Sequence, residues 1–152
     1  MLGKQLWQTI LTFGLGLGIT RFGINLAAAE FGGSAMLFES LPLAGFAMGI
    51  TIIAMIWVGY RLRDQNRGLI DLQSAFLGMF GVYAVAGLLT VLCNAAYFFV
   101  FRPEVLAGLS EYAQRLSNEG MTREYLSSLI FGGLLAMIFA FVLKKEKVKV
   151  AS

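Results

Sequence analysis

The chain has 152 residues, of which 58% are hydrophobic and only 14% are charged, and its mean hydropathy is +0.75. A soluble domain carries about a quarter charged residues, so this composition favours a membrane as the solvent. The chain has no histidine and one cysteine, which removes the commonest metal ligand and excludes an intramolecular disulfide. A net charge of +3 is too small to indicate nucleic-acid binding.

The first apolar stretch runs from about residue 6 to residue 29. It is longer than the roughly 20 residues that an α-helix needs to cross a bilayer. Lys4 before it and Ala27–Ala29 after it also fit a cleaved secretory signal. Arg21 interrupts the apolar part of such a signal, so we favour a retained transmembrane helix.

Two further apolar stretches follow. Helix two is predicted at about 43–60, with Pro42 at an early helical position and Tyr60 as an interfacial anchor at its end. Helix three is predicted at about 72–101, which is longer than a perpendicular crossing needs, so the helix should tilt or project beyond the lipid. Asp71 stands where an N-cap of helix three is expected, although it could instead line an entrance.

The last part of the chain predicts two helices. Between residues 104 and 118, apolar residues recur at helical spacing and charged residues occupy the other side, which indicates an amphipathic interfacial helix. Gly120 would end that helix, and a fourth transmembrane helix would follow at about 125–143. The predicted fold class is therefore all-α: one domain over 1–152, a polytopic membrane protein with four transmembrane helices and one amphipathic interfacial helix.

Lysine and arginine are divided unequally between the two sides of the membrane. The side with eight carries Lys4, Arg61, Arg63, Arg67, Lys144, Lys145, Lys147 and Lys149. The side with three carries Arg102, Arg115 and Arg123. The cytoplasmic loops of membrane proteins carry an excess of lysine and arginine. We therefore expect both termini on the cytoplasmic side of a bacterial inner membrane.

Helix one carries a polar and small-residue row. Gly14, Gly18, Arg21 and Asn25 are spaced by four, three and four residues, so they share one face. This face should turn toward protein, because an arginine at the bilayer centre costs at least about 2.5 kcal/mol. Outward snorkelling or structural pairing of Arg21 is favoured over a substrate or ion role.

Helix three carries a second row of the same kind. Its members are Tyr83, Gly87, Thr90, Asn94 and Tyr97. Both helices run outward from the cytoplasm in this topology, so Asn94 and Tyr97 should lie at the depth of Arg21. We expect the arginine to donate to Asn94, Tyr97, backbone carbonyls or the outer-edge Glu30 and Glu39.

Small residues recur on the other two helices. They are Ser128, Gly132, Ala136 and Ala140 on helix four, and Gly45 and Gly49 on helix two. Small residues four apart let another backbone approach closely. Packing within the bundle is the favoured interpretation, and contact with another chain is the alternative.

Several short segments also carry a resemblance to a known family. They are Gly59–Asp64, Gly68, Ala75–Phe76, Gly78, Phe98–Pro103 and Phe131–Leu134. With the layout of residues 59–146, they resemble a family of small four-helix inner-membrane proteins of Bacteroidota known as a domain of unknown function. The resemblance implies four crossings, with an outer amphipathic insert between the last two, and it implies no activity.

The sequence predicts a non-catalytic membrane subunit that packs against other membrane proteins in a larger assembly. The alternative is a small homo-oligomeric transporter or channel for an anion or polar solute, lined by Arg21, Asn25, Asn94 and Tyr97. No enzyme is expected, because the chain shows neither a nucleophile with a base nor a phosphate-binding glycine loop. The expected partners are the lipid bilayer and other subunits or a second copy, with no metal, cofactor or nucleic acid.

Overall fold

A computed structural model of the protein describes residues 2–32, 41–104 and 111–144. These residues are almost entirely helical, as the composition predicts. The helices are α1 (Leu2–Gly32), α2 (Leu41–Gln65), α3 (Leu72–Ala96), a π-helical turn that continues α3 (Tyr97–Phe101), and α4 (Glu111–Leu143). The all-α class is confirmed.

Three of the helices are long and apolar enough to cross a membrane. Their candidate spans are Gly3–Phe31, Gly45–Gln65 and Leu72–Phe101. The fourth helix carries a shorter apolar stretch, Ser128–Leu143. Three long apolar helices indicate a multi-pass membrane protein.

The outward surface of α1 matches a lipid solvent. Trp7, Leu11, Leu15 and Ile19 recur every four residues and are all exposed. Such a row of large apolar side chains would be an aggregation hazard in water, whereas acyl chains solvate it readily. The opposite face of α1, with Ile10 and the glycine row, is turned to the other helices.

Helix α3 lies at the centre of the bundle. Each of α1, α2 and α4 packs on it, and α2 also contacts both α1 and α4. Among the described residues, α1 and α4 make no extensive contact with each other. They therefore pack on different faces of α3. The fully buried core side chains are Met55, Val58, Ala75, Met79, Val82, Ala86, Ala136 and Ala140.

The last helix differs from the prediction. A separate amphipathic helix over 104–118, ended by Gly120, is wrong in its boundary, because one uninterrupted helix runs from Glu111 to Leu143. A glycine inside a helix costs only about 1 kcal/mol relative to alanine, so tertiary context readily overrides it. Residues 105–110 of the predicted amphipathic segment lie outside the described part of the chain.

A tight turn joins α2 to α3. The Gly68 N–H donates to the Arg63 carbonyl at 2.8 Å, and the Arg67 N–H donates to the Asp64 carbonyl at 3.3 Å. This pair of hydrogen bonds is the Schellman pattern, in which the residue that follows the helix C-cap is left-handed. That residue here is Arg67, with φ at 56°, and not glycine. The turn therefore holds a side chain in a strained backbone conformation.

Asp71 caps the start of α3, as predicted. The Ser74 N–H donates to its Oδ1 at 2.8 Å. Burial, the largest single influence, raises the pKa of Asp71. The backbone and side-chain hydrogen bonds from Ser74 outweigh it, and the net pKa lies below the ordinary 3.8. The ionised carboxylate is therefore the capping form.

Replacing Arg67 with glycine should stabilise the protein. Arg67→Gly removes the cost of a left-handed side chain and should raise the free energy of unfolding by about 1 kcal/mol. The matched control Arg61→Gly, at an exposed position inside α2, should lower it by about 1 kcal/mol. Denaturation by SDS in mixed micelles measures both changes, and equal signs for the two variants would contradict the assigned turn.

Removing the Asp71 cap should give a pH-dependent loss of stability. Asp71→Ala should cost about 1 kcal/mol at neutral pH. Because the folded-state pKa is the lower one, the carboxylate's contribution is complete above about pH 4 and is lost as the pH falls through that lower pKa. Asp71→Asn is the control, since an amide caps without titrating. Thermal unfolding in detergent from pH 7 to pH 3 should show wild type converging on Asp71→Ala, and a difference that stayed constant would refute the cap.

Candidate functional site

The glycine row of α1 lies directly against α3. A Cβ at Gly14 would come within 2.7 Å of Val85 Cγ1, and one at Gly18 would come within 3.0 Å of the Ala86 carbonyl oxygen. The first distance is shorter than real Cβ contacts, and the second is tighter than most of them, so a side chain there would push the neighbour aside. The two glycines thus allow the backbones of α1 and α3 to approach closely. The approach increases dispersion contacts between the helices, which must hold them together because lipid gives apolar helix surfaces no drive to associate.

A buried threonine hydroxyl links the same two helices. Thr90 Oγ1 lies 2.8 Å from the Ala86 carbonyl of its own helix and 3.3 Å from the Gly18 carbonyl of α1. The hydroxyl has one proton to share between these acceptors. Thr90, which belongs to the predicted polar row of α3, is therefore satisfied inside the bundle by its own helix and by the glycine face of α1.

Two tyrosines pack reciprocally on two glycines between α3 and α4. The Tyr83 ring of α3 lies against Gly132 of α4, and the Tyr125 ring of α4 lies against Gly87 of α3, where a Cβ would come within 2.7 Å of Cε2. The Tyr125 hydroxyl donates to the Ala84 carbonyl at 3.0 Å. Tyr125 is a contact residue that the sequence analysis missed.

The small residues predicted as contact surfaces divide into two groups. On α4, Gly132, Ala136 and Ala140 are buried, while Ser128 is half-buried and donates to the Tyr125 carbonyl at 2.8 Å. On α2, the prediction of packing within the bundle is not met: a Cβ at Gly45 or Gly49 would meet none of the described atoms within 4 Å. A spacing of four shows that two residues share a face, but it does not show that a neighbour covers it.

Arg21 is turned inward, toward the middle of α3. Its Cζ lies 5.9 Å from the centroid of the Tyr83 ring, within the range of a cation–π contact. Tyr83 itself lies near the middle of the span Leu72–Phe101. The guanidinium therefore lies against a neighbouring helix, which fits the structural pairing that the favoured interpretation included.

The expected hydrogen bond between Arg21 and Asn94 is not formed. Arg21 Nη1 and Asn94 Oδ1 are both buried, and each is without a hydrogen-bond partner in the part of the chain that is described. Asn25, the last member of the α1 row, is half-buried. The two helices thus bring one unused donor and one unused acceptor to the outer half of their shared face.

Tyr97 is engaged at the outer end of the helices and not with Arg21. Its hydroxyl donates to Glu30 Oε1, which also accepts from Arg102 Nη1 at 2.9 Å. Arg102 Nε donates to Glu104. The hydrogen bond to Glu104 contributes most to raising the pKa of Arg102, and the negative charge of Glu30 raises it further. We call these four residues the outer latch, because they join the end of α1 to the end of α3.

The π-helical turn positions the outer latch. Across this turn the Arg102 N–H donates to the Tyr97 carbonyl at 2.8 Å, five residues back. The wider turn shifts the side chains that follow it relative to a regular α-helix. The pairing of Arg102 with Glu30 was not predicted, although opposite charges at the outer ends of two parallel helices were a signal for it.

The described residues offer no further chemical site. No group of three or more potential metal ligands occurs among them. Cys93 is a half-buried free thiol. One small recess lies at the opposite end of the bundle from the outer latch, lined in part by Gln5, Gln65 and Asn66. The polar rows over α3 are therefore the feature that needs a functional explanation.

The fold and these rows define a class: a multi-pass helical membrane protein whose polar groups are gathered between its helices. The chain belongs to the family described as "Protein of unknown function (DUF4199)", which it matches over residues 12–145. This range includes the polar row of α1, which the resemblance seen in the sequence did not reach. No curated protein and no solved structure matches the chain.

The reciprocal tyrosine packing can be tested with two adjacent glycines. Gly132→Ala would place a methyl group inside the Tyr83 ring, and it should destabilise the bundle by about 1–3 kcal/mol. Gly133→Ala, where the nearest Phe80 atom is at an ordinary 3.7 Å, should be neutral or stabilising by up to about 1 kcal/mol. Midpoints of SDS denaturation compare the two, and a Gly133→Ala variant as damaged as Gly132→Ala would argue against this interface.

Proposed function

We propose that the protein is a non-catalytic integral membrane subunit that packs against other membrane proteins in a larger assembly. The observation that carries this proposal is the closed interior of the bundle. Met55, Val58, Met79 and Val82 have no exposed surface, so a single copy offers no passage where these residues lie. A protein of this kind acts through its outer surfaces.

The first half of α2 is the surface that best suits a partner helix. Gly45 and Gly49 lie one turn apart on α2, and a Cβ at either would meet no described atom within 4 Å. Phe46 and Ile53 beside them are exposed. A glycine pair flanked by large apolar side chains is typical of close helix–helix contact in membranes. This surface could accept a helix from another chain in the way that Gly14 and Gly18 accept α3.

The proposed topology has four crossings with both termini in the cytoplasm of a bacterial cell. It is supported by the excess of lysine and arginine on one side, eight against three. The length of α4 adds support, since the helix extends well beyond its apolar stretch Ser128–Leu143. The likeness to small inner-membrane proteins of Bacteroidota is consistent with the same arrangement.

A transporter for an anion or polar solute is the second candidate. The observation that favours it is a pair of buried polar atoms, Arg21 Nη1 and Asn94 Oδ1, on the facing helices α1 and α3, which have no hydrogen-bond partner within the described ranges. A second copy of the chain, packed beside these helices, could complete a path. Arg21 would then attract the anion.

The test of the subunit proposal is the size of the particle that contains the chain. After extraction from its own host membranes in a mild detergent, the chain should migrate with companion proteins, well above its own 16.6 kDa. Gly49→Leu should reduce that association, because the bulky side chain blocks the α2 surface. Gly16→Leu, on the open face of α1, is the matched control and should leave it intact.

Two results would count against the proposal. A particle that contains one copy of the chain and nothing else, even after gentle crosslinking in the membrane, would remove the subunit function. Anion flux into vesicles that contain the purified chain, abolished by Arg21→Ala with unchanged thermal stability, would support the transporter instead.

A further inference from the structure

The end of the bundle opposite the outer latch carries an excess of positive charge. The start of α1 meets the end of α2 there through the hydrogen bond from Thr9 to Gln65, and the end of α4 joins them where Leu143 packs on Gly59. We call it the basic end. Its described charged residues are the cations Lys4, Arg61, Arg63, Arg67 and Lys144 and the acids Asp64 and Asp71. This balance attracts anions.

The outward surface of α2 changes in character toward the basic end. Ile53, Trp57 and Arg61 are four residues apart and form one exposed row. Tyr60 beside Arg61 is 44% exposed, whereas Val58 on the opposite face is fully buried. The order of apolar, aromatic and cationic side chains is the order in which a helix meets hydrocarbon, interface and headgroups. The row therefore faces lipid along its whole length.

The position of Arg61 along α2 matches the depth of lipid phosphates. The uncharged part of α2 runs from Leu41 to Tyr60, so its middle lies near residue 50. At about 1.5 Å per residue, Arg61 lies about 16 Å from this middle. The hydrocarbon of a bilayer ends about 15 Å from its centre. The guanidinium of Arg61 is therefore level with the headgroups.

Contacts on both sides hold the aromatic rings beside Arg61. The Phe13 ring of α1 packs edge-on against Trp57, with the ring centroids 5.8 Å apart. On the other side, Arg63 Cζ lies 5.1 Å from the centroid of the Tyr60 ring. An exposed guanidinium binds a phosphate through two parallel N–H donors. Held rings next to it suit the apolar body of a molecule whose phosphate lies on the arginine.

We propose that Trp57, Tyr60 and Arg61, which we call the headgroup surface, bind an anionic phospholipid. Arg61 contacts the headgroup phosphate, and the two rings contact the glycerol and the upper part of an acyl chain. The other cations of the basic end select an anionic lipid over a zwitterionic one, because they repel the ammonium of a zwitterionic headgroup. This site is separate from the partner surface proposed on the first half of α2, and it does not depend on the subunit function.

Quenching of Trp57 fluorescence by brominated lipids measures which lipid occupies the headgroup surface. The chain has two tryptophans, so Trp7→Phe leaves Trp57 as the reporter in reconstituted vesicles. Phosphatidylglycerol brominated along its acyl chains should bind beside Trp57 about fivefold more tightly than brominated phosphatidylcholine, the factor expected for one cation at an anionic headgroup. Arg61→Gln should lower this ratio of affinities toward one, and Arg61→Lys should retain part of it.

Two further variants separate the site from the general charge of the basic end. Asp64 is exposed and lies one turn from Tyr60, so Asp64→Asn should raise the ratio by removing a negative charge that repels the phosphate. A folding defect does not imitate this gain. Lys4→Gln is the matched control, since it removes one positive charge from the basic end on a different helix. It should leave the ratio at Trp57 unchanged.

Four results would overturn the proposal. They are a ratio of one in the chain that carries Trp7→Phe alone, a ratio that Arg61→Gln leaves unchanged, a ratio that Asp64→Asn lowers, and an equal loss in Lys4→Gln and Arg61→Gln. The last would show diffuse attraction by the whole basic end. Inorganic phosphate added at constant ionic strength should not change the ratio, and its loss on that addition would show a site for a free anion instead.

Discussion

Close approach between helix backbones is the constraint on which this bundle depends. Inside a bilayer the lipid is as apolar as the helix surfaces, so burial of apolar area alone gives no drive for helices to associate. Dispersion contacts and hydrogen bonds must hold them together. In this protein, glycines provide both: Gly14 and Gly18 admit α3, and the Gly18 carbonyl then lies within reach of the Thr90 hydroxyl.

The central position of α3 follows from the same constraint. It presents one face to α1 and another to α4, and each contact uses a side chain seated on a glycine. The Tyr83–Gly132 and Tyr125–Gly87 contacts run in opposite directions, so neither helix can slide without a clash at one of them. The outer latch joins α1 to α3 at the outer end. Water screens the charges there, so pairing them stabilises the fold less than the same pairing would inside lipid.

Arg21 is one of three residues, with Arg63 and Asn94, in which a buried polar atom lacks a hydrogen-bond partner among the described residues. Its place is set by α1, because the glycines one and two turns before it hold that face of the helix on α3. The side chain then lies over Tyr83. A cation held there by a rigid helix contact is a fixed electrostatic feature of the molecule.

The sequence predicted what depends on helical periodicity. The shared face of Gly14, Gly18 and Arg21 follows from their spacing, and so does the burial of Gly132, Ala136 and Ala140. A face can be read from one helix alone. The Asp71 cap was equally local, since its partner is three residues away.

The contacts that the sequence did not predict depend on how helices sit beside each other. Tyr125 packs on Gly87 only because of the height at which α4 sits against α3. Glu30 and Arg102 are 72 residues apart, and their pairing depends on α1 and α3 ending at the same level. Asn94 lies on the predicted face, yet its carbonyl oxygen does not meet the guanidinium, because the arginine extends toward Tyr83.

The account depends most directly on the face that α1 turns to α3, and the space at the α1 glycines reports that face. A Cβ at Gly14 would come within 2.7 Å of Val85 Cγ1, whereas a Cβ at Gly16 would meet no described atom within 4 Å. The account predicts that Gly14→Ala lowers the free energy of unfolding in SDS mixed micelles by about 1–3 kcal/mol and that Gly16→Ala does not lower it. Loss of stability in Gly16→Ala and none in Gly14→Ala would turn Arg21 toward lipid and contradict the account.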